Sequence, residues 1–412
     1  MKKHTIRAII AAALVTAFVS PIAAQASTKV ITIWADNDRG PALSTFLLNN
    51  PNIAPGYKIK INTYADYNSL DGAYQKATAA TGPDIMFNPI GDAIKYAQSG
   101  KVLKMFLSSH ARTVLSNTAL KYGQWQGSQY GLPLDIDTTA MYWNTAFGPA
   151  PKTFAELIAD FQKAKAAGTA TLGFCAADGT WGALPFLTAL GGGAYGYVGK
   201  SLTPDPSKVL INSSALVSNI KQYAVGSDGK SNGLFGWDGC KATFLAGKAL
   251  AMNSGAWQLS DVQKSGVKYV ILPTPTLTGS GVTHQWAGYG GAWITSFAAQ
   301  HNNLFGVREV INYLASDAGA LAYAKATNRP SPNTAITAQL SSDVQGFAQS
   351  GSKNGLVQLD DLLGDNTGGS NYYDTLTAAF TAIFINGKDV QSTLDNAAKI
   401  FAANFQSGFK KL

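Results

Sequence analysis

Apolar and polar positions alternate along the first quarter of the chain in blocks of strand and helix length. Val30-Ile31-Thr32-Ile33-Trp34 reads as a strand, Pro41 to Leu48 as a helix, and Tyr57 to Tyr64 as a second strand. Ser69 to Ala79 reads as a helix and Asp84 to Phe87 as a third strand. This β-α-β-α-β order predicts a parallel sheet with right-handed crossovers, the α/β class. Gly82-Pro83-Asp84-Ile85-Met86-Phe87 is followed by a polar loop and a helix that closes on Gly100. In an open α/β sheet such a loop lies beyond the carboxyl end of a strand, where ligands bind.

Farther on, Gly131-Leu132-Pro133-Leu134 runs through Asp135-Ile136-Asp137 into Ala140-Met141-Tyr142-Trp143-Asn144, an extended crossing. Pro151 to Glu156 opens a helix with a capping box, Thr153 at the N-cap and Glu156 reaching back from N3. Tyr269 to Leu272 reads as a strand before Pro273-Thr274-Pro275, and Ala292 to Thr295 as another. His301 to Leu314 and Ala318 to Lys325 read as helices, and Asn328-Arg329-Pro330-Ser331-Pro332 breaks the chain again. Three proline-marked crossings predict two discontinuous lobes. The expected N-terminal lobe is 27–136 plus 276–328, and the C-terminal lobe 137–275 plus 329–412.

The amino terminus predicts export. Lys2, Lys3 and Arg7 precede an apolar run from Ala8 to Val19, and Ala24-Gln25-Ala26 offers a small-x-small cleavage site. The run is too short to cross ~30 Å of hydrocarbon. A signal peptide of residues 1–26 and a soluble periplasmic product are expected. Losing those three cations lowers the formal net charge from +8 to +5. Lys and Arg are scattered, with no basic cluster interleaved with aromatics, so nucleic acid is not expected as a partner. Cys175 and Cys240 are the only cysteines, in an oxidising compartment. If bridged they close a loop worth ~4 kcal/mol in the chain-entropy model; two buried thiols are the alternative.

Motifs that could carry catalysis lack their context. Gly191-x-Gly193-x-x-Gly196 follows a segment, Trp181 to Leu190, that reads as helix rather than strand, so a glycine C-cap and turn is expected. Gly229-Lys230-Ser231-Asn232-Gly233 lies in a polar loop without the strand a nucleophile elbow needs. His110, His284 and His301 show no metal-ligand spacing. Asp135 and Asp137 stand two apart on a strand, side by side rather than across a substrate, which argues against a glycosidase. Only Glu156 and Glu309 are glutamates, and Glu156 already has a capping role. No cofactor and no catalytic step are expected.

A series of blocks carries a resemblance. It begins with Ile33-Trp34 and the pair Asp38-Arg39, then Gly82 to Gly100, Pro133 to Asp137 and Tyr142-Trp143-Asn144. Pro151-Lys152-Thr153, Phe244-Leu245-Ala246-Gly247-Lys248-Ala249-Leu250-Ala251-Met252 with Trp257, Leu272-Pro273, and Asn371 to Ala398 complete it. In this order the blocks resemble the maltose-binding-protein family of extracellular solute-binding proteins. The resemblance implies a type II periplasmic binding fold, with two α/β lobes, a hinge and an interlobe cleft. It implies a monomer that closes on a carbohydrate and docks on the transmembrane permease subunits of an ABC importer, which a cytoplasmic ATPase drives. Carried over by position, Asp38, Arg39 and Asp137 would hydrogen-bond hydroxyls, and Trp257, Tyr373 and Trp181 would stack on sugar rings. Trp286 and Tyr289, on a glycine-rich approach to a strand, are further candidates. Asn88 stands where the family has an aromatic, and Gly91-Asp92 where it has an acid-base pair. Asn88 and Asp92 thus imply a mono- or disaccharide or a sugar alcohol rather than a long maltodextrin. A polyamine or other small polar solute, or a secreted carbohydrate-active enzyme, are the alternatives.

Overall fold

The structure, a computed structural model, describes residues 29–48, 50–197, 204–279, 283–357 and 371–409. The expected signal peptide lies outside them. Ten strands form one mixed sheet. They are β1 (Lys29–Asp36), β2 (Tyr57–Tyr64), β3 (Ile85–Pro89), β4 (Gly131–Asn144) and β5 (Leu172–Ala176), then β6 (Phe235–Trp237), β7 (Ala249–Gly255), β8 (Tyr269–Leu272), β9 (Gln285–Ile294) and β10 (Gly355–Val357). The order is β6-β5-β7-β4-β9-β3-β1-β2, with β8 also on β4 and β10 also on β9.

The first three strands form as the sequence pattern requires. β1 pairs parallel with β2 and with β3. Central β1 and β3 are almost wholly buried after the first residues of β1, whereas β2 exposes Lys58 and Lys60. Lysines on an outer strand discourage pairing with another chain. Helix α1 (Arg39–Leu47) follows β1, α2 (Tyr67–Gln75) follows β2 and α3 (Ile90–Gln98) follows β3. The helix expected over 69–79 thus begins and ends earlier, because Asp66 caps it by accepting from the Ser69 amide at 2.7 Å. The helix expected over 301–314 is interrupted: Asn302 adopts φ +56°, and the regular helix spans Leu304–Leu314.

Two long antiparallel strands join the halves of the molecule. β4 pairs at its start with the end of β9, Gly131 opposite Trp293, and at its end with β7 and β8. Ile136 belongs to one hydrophobic core, with β1–β3 and their helices, and Met141 to a second, with β5–β7. On β9, Trp286 lies in the second core and Tyr289 in the first. The boundary expected at 275/276 therefore falls before the point where the chain changes core. Gly290 and Gly291 sit where the register shifts. A Cβ on Gly291 would stand 2.0 Å from the Leu132 carbonyl oxygen, and one on Gly290 2.3 Å from Asp135 Oδ1. Only glycine lets β9 approach this closely.

Cys175 on β5 and Cys240 are joined by a disulfide, with Cα atoms 5.6 Å apart. Thr153 caps its helix through a 3.0 Å bond from the Glu156 amide. Glu156 reaches back one residue farther than expected, to the Lys152 amide at 2.6 Å. Gly191 ends the helix Leu184–Ala189 at φ +86°, a turn residue rather than a phosphate cradle.

Candidate functional site

A cavity of about 630 Å³ opens where the two cores meet. Loops at the carboxyl ends of parallel strands build it, as expected for an open α/β sheet. The turn after β1 brings Asp36, Asp38 and Arg39, and the β3–α3 junction brings Gly91 and Asp92. The crossing strands β4 and β9 contribute Asp137, Gly288 and Tyr289. From the other side, the segment after β5 supplies Asp178 and Trp181, and the segment after β7 supplies Trp257. Arg329 enters from the third crossing.

The floor is a network of ions. Arg39 is buried and donates to Asp36 at 2.7 Å, to both oxygens of Asp135 at 3.3 Å and to Asp137 at 3.0 Å. Burial alone would lower its pKa, but Asp135, Asp137 and Asp36 outweigh that and hold it above the ordinary value. Arg329, equally buried, donates to Asp38 and to Asp137. Asp135 is fully buried and also accepts from Tyr323 Oη at 2.5 Å. Burial opposes its charge, yet Arg39 and Arg329 keep its carboxyl below the ordinary carboxylate range. Such a network is held together because each buried charge has partners.

The walls are aromatic. The rings of Trp181 and Trp257 are 5.6 Å apart at 52°, and Tyr122 and Tyr289 are 5.4 Å apart at 56°. Trp257 Nε1 donates to Asp178 Oδ1 at 3.0 Å, and Ser254 Oγ donates to Asp178 Oδ2 at 2.6 Å. Burial holds the Asp178 carboxyl above the ordinary carboxylate range despite these donors. Flat rings beside ionised oxygens present surfaces for C–H faces and for hydroxyls together.

Residues 52–349 match the family described as bacterial extracellular solute-binding protein. The chain belongs to that family. Over 290 residues it is 28% identical to the maltodextrin-binding protein of Bacillus subtilis (strain 168), covering 67% of each chain. It is 27% identical over 233 residues to the galactooligosaccharide-binding protein of the same strain, covering 53% of this chain and 54% of that one. It is also 27% identical over 206 residues to the sn-glycerol-3-phosphate-binding periplasmic protein of Brucella abortus (strain 2308), covering 47% and 46%. It thus spans about half the length of the last two.

In this solute-binding protein, Asp38, Arg39, Asp92, Asp137, Trp181, Trp257 and Tyr289 all line the one cavity. Asn88, Trp286 and Tyr373 do not. Asn88 is buried beneath it and donates to Asp92 at 3.1 Å. Trp286 is buried against Tyr195 and Tyr372. An odd spacing on a strand puts Trp286 and Tyr289 on opposite faces, so only one of them can face the cleft. Tyr373 lines a smaller cavity of about 240 Å³, which shares Asp178 and Trp181 with the larger one. Sequence reasoning missed Asp36, Asp178 and Arg329. Asp36 at least ends a strand two residues before Asp38 of the expected pair Asp38-Arg39, a position that could have been found. Among the described residues, no group of three or more His, Cys, Asp or Glu could hold a metal ion.

Proposed function

We propose that this protein captures a carbohydrate in the periplasm and delivers it to the membrane permease subunits of an ABC importer, which a cytoplasmic ATPase powers. The observation that carries the reading is the cavity between the cores, with an indole pair on one side and ion-paired aspartates on the other. Two relatives named for binding maltodextrin and galactooligosaccharide support it. The ligand is a mono- or disaccharide or a sugar alcohol, held by Asp38, Asp92 and Asp137 and stacked on Trp257 and Trp181. The lobes close on it by bending at the crossings. Residues 1–26 are removed on export and the product acts as a soluble monomer; no described helix is long and apolar enough to cross a membrane. No reaction follows capture. Asp135 and Asp137, the two carboxylates nearest to a hydrolytic pair, are engaged by Arg39 and Arg329, which supports a binding rather than a catalytic role.

A thermal-shift panel of sugars, sugar alcohols, amino acids and polyamines tests this. A ligand that binds only the folded state raises the midpoint by mass action, ~2.7 kcal/mol at a hundredfold excess over Kd. A shift with one sugar class is expected. A shift with amino acids alone would overturn the reading.

A further inference from the structure

The cavity carries a charge opposite to that of the chain. Six aspartates line it (36, 38, 66, 92, 137 and 178) against two arginines and, among the described residues, no lysine. That is a formal −4 inside a chain of formal net charge +8. Both guanidiniums are already bound to carboxylates, Arg39 to Asp36, Asp135 and Asp137, and Arg329 to Asp38 and Asp137. A phosphate or carboxylate entering here meets no uncommitted cation. A hydroxyl can give its own proton to an aspartate, whereas a fully ionised phosphate can only accept.

The excess is sharpest at Asp178. Its two oxygens accept from Ser254 and Trp257, and no described cation stands within ion-pair distance. Lys241, which acts on it from farther away, is itself paired with Asp261 at 2.6 Å. Burial raises the Asp178 carboxyl pKa, the signature of a carboxylate short of positive charge. Trp181 and Trp257 line the same end of the cavity, and Trp257 already receives one cation, the Arg329 guanidinium, 5.5 Å from its ring centroid. A carboxylate oriented by the neutral donors Ser254, Trp257 and Gln258 beside indole rings suits an ammonium. The oxygens supply opposite charge and the rings supply their quadrupole.

We propose that the ligand is a carbohydrate bearing a protonated amine, whose ammonium is received at Asp178 beside Trp181 and Trp257. The same cleft turns away phosphorylated and carboxylated sugars. This rests on the carbohydrate reading above and adds the charge of the ligand to it. The relative named for binding sn-glycerol-3-phosphate therefore differs from this protein in the charge of its ligand.

Titration calorimetry of the exported protein tests the proposal with matched amino, N-acetylamino, neutral, 6-phosphate and uronate forms of glucose, galactose and mannose, together with putrescine. One amino sugar is expected to bind at least about tenfold tighter than its neutral and N-acetylated counterparts, about 1.4 kcal/mol, with no heat from the acidic forms. Asp178→Asn is expected to shrink the ratio of amino to neutral affinity at least about tenfold. A neutral or acidic form that binds as tightly as the amino form overturns the proposal and leaves the carbohydrate reading standing. An unchanged ratio in Asp178→Asn also overturns it. Binding of putrescine without any sugar overturns both readings, and silence from the whole panel overturns the proposal. Should Asp178→Asn fail to fold, the panel on the unaltered protein still decides.

Discussion

The guanidinium of Arg329 lies 5.5 Å from the centre of the Trp257 ring while its nitrogens hold Asp38 and Asp137. One side chain from the third crossing therefore ties the acids near β1 and β4 to the aromatic wall of the other core. Arg329→Met should leave two carboxylates short of a partner and cost about 3–5 kcal/mol of stability, read by chemical unfolding. Arg329→Lys should recover only part of this, since an ammonium lacks the planar fork that reaches both acids. Full recovery by lysine would show that charge alone matters.

Arg39→Met tests the floor of the cavity. It takes from the fully buried Asp135 its nearer cation, leaving only Arg329 at 3.8 Å, and a loss of about 3 kcal/mol is expected. Combining it with Asp135→Asn should return part of that loss, because the uncompensated charge goes with it. A double variant no better than the single one would mean that Asp135 does not depend on Arg39.

Trp257 and Trp286 should separate binding from folding. Trp286 is almost wholly buried among Tyr195 and Tyr372, so Trp286→Ala should lower stability by about 3–5 kcal/mol. Trp257 lines the cavity, so Trp257→Ala should weaken ligand binding at least about tenfold with a smaller loss of stability. Paired unfolding and binding curves check this.

The disulfide and a histidine set the response to redox state and pH. Reducing Cys175–Cys240, which spans 65 positions, should cost up to ~4 kcal/mol, seen as a fall in Tm with dithiothreitol.

His301 donates from Nε2 to the Ala79 carbonyl (2.6 Å), and its Nδ1 pairs with Asp84 Oδ1 (2.8 Å). Burial would lower its pKa, but the Ala79 carbonyl and Asp84 outweigh it and raise it. A raised folded pKa gives stability that is complete below the unfolded value, about 6.5, and is lost as pH rises through the folded value. Stability should therefore decline above about pH 6.5, and His301→Gln should flatten that slope in a pH series of melts.

Much of the fold was legible because its elements carry local signals. The first three strands are apolar runs of strand length, and Thr153 with Glu156 marks a helix start four residues long. The first seven residues of β9 were not legible, since Gly288, Gly290 and Gly291 have no side chains to show a period. Arg329 escaped for another reason: its partners Asp137 and Asp38 lie 192 and 291 positions away. Asp178 carries no local signal; only the fold brings Ser254 and Trp257 against it. Local pattern reveals elements, whereas a charge network assembled from distant turns needs the fold.

Titration calorimetry of the unaltered protein and Trp257→Ala against the carbohydrate panel, with recovery of the bound sugar, tests the central claim most directly. The account predicts saturable binding of one sugar, recovered chemically intact, and binding weakened at least about tenfold by the substitution. No binding by any sugar, recovery of a cleaved one, or equal affinity in Trp257→Ala would contradict it.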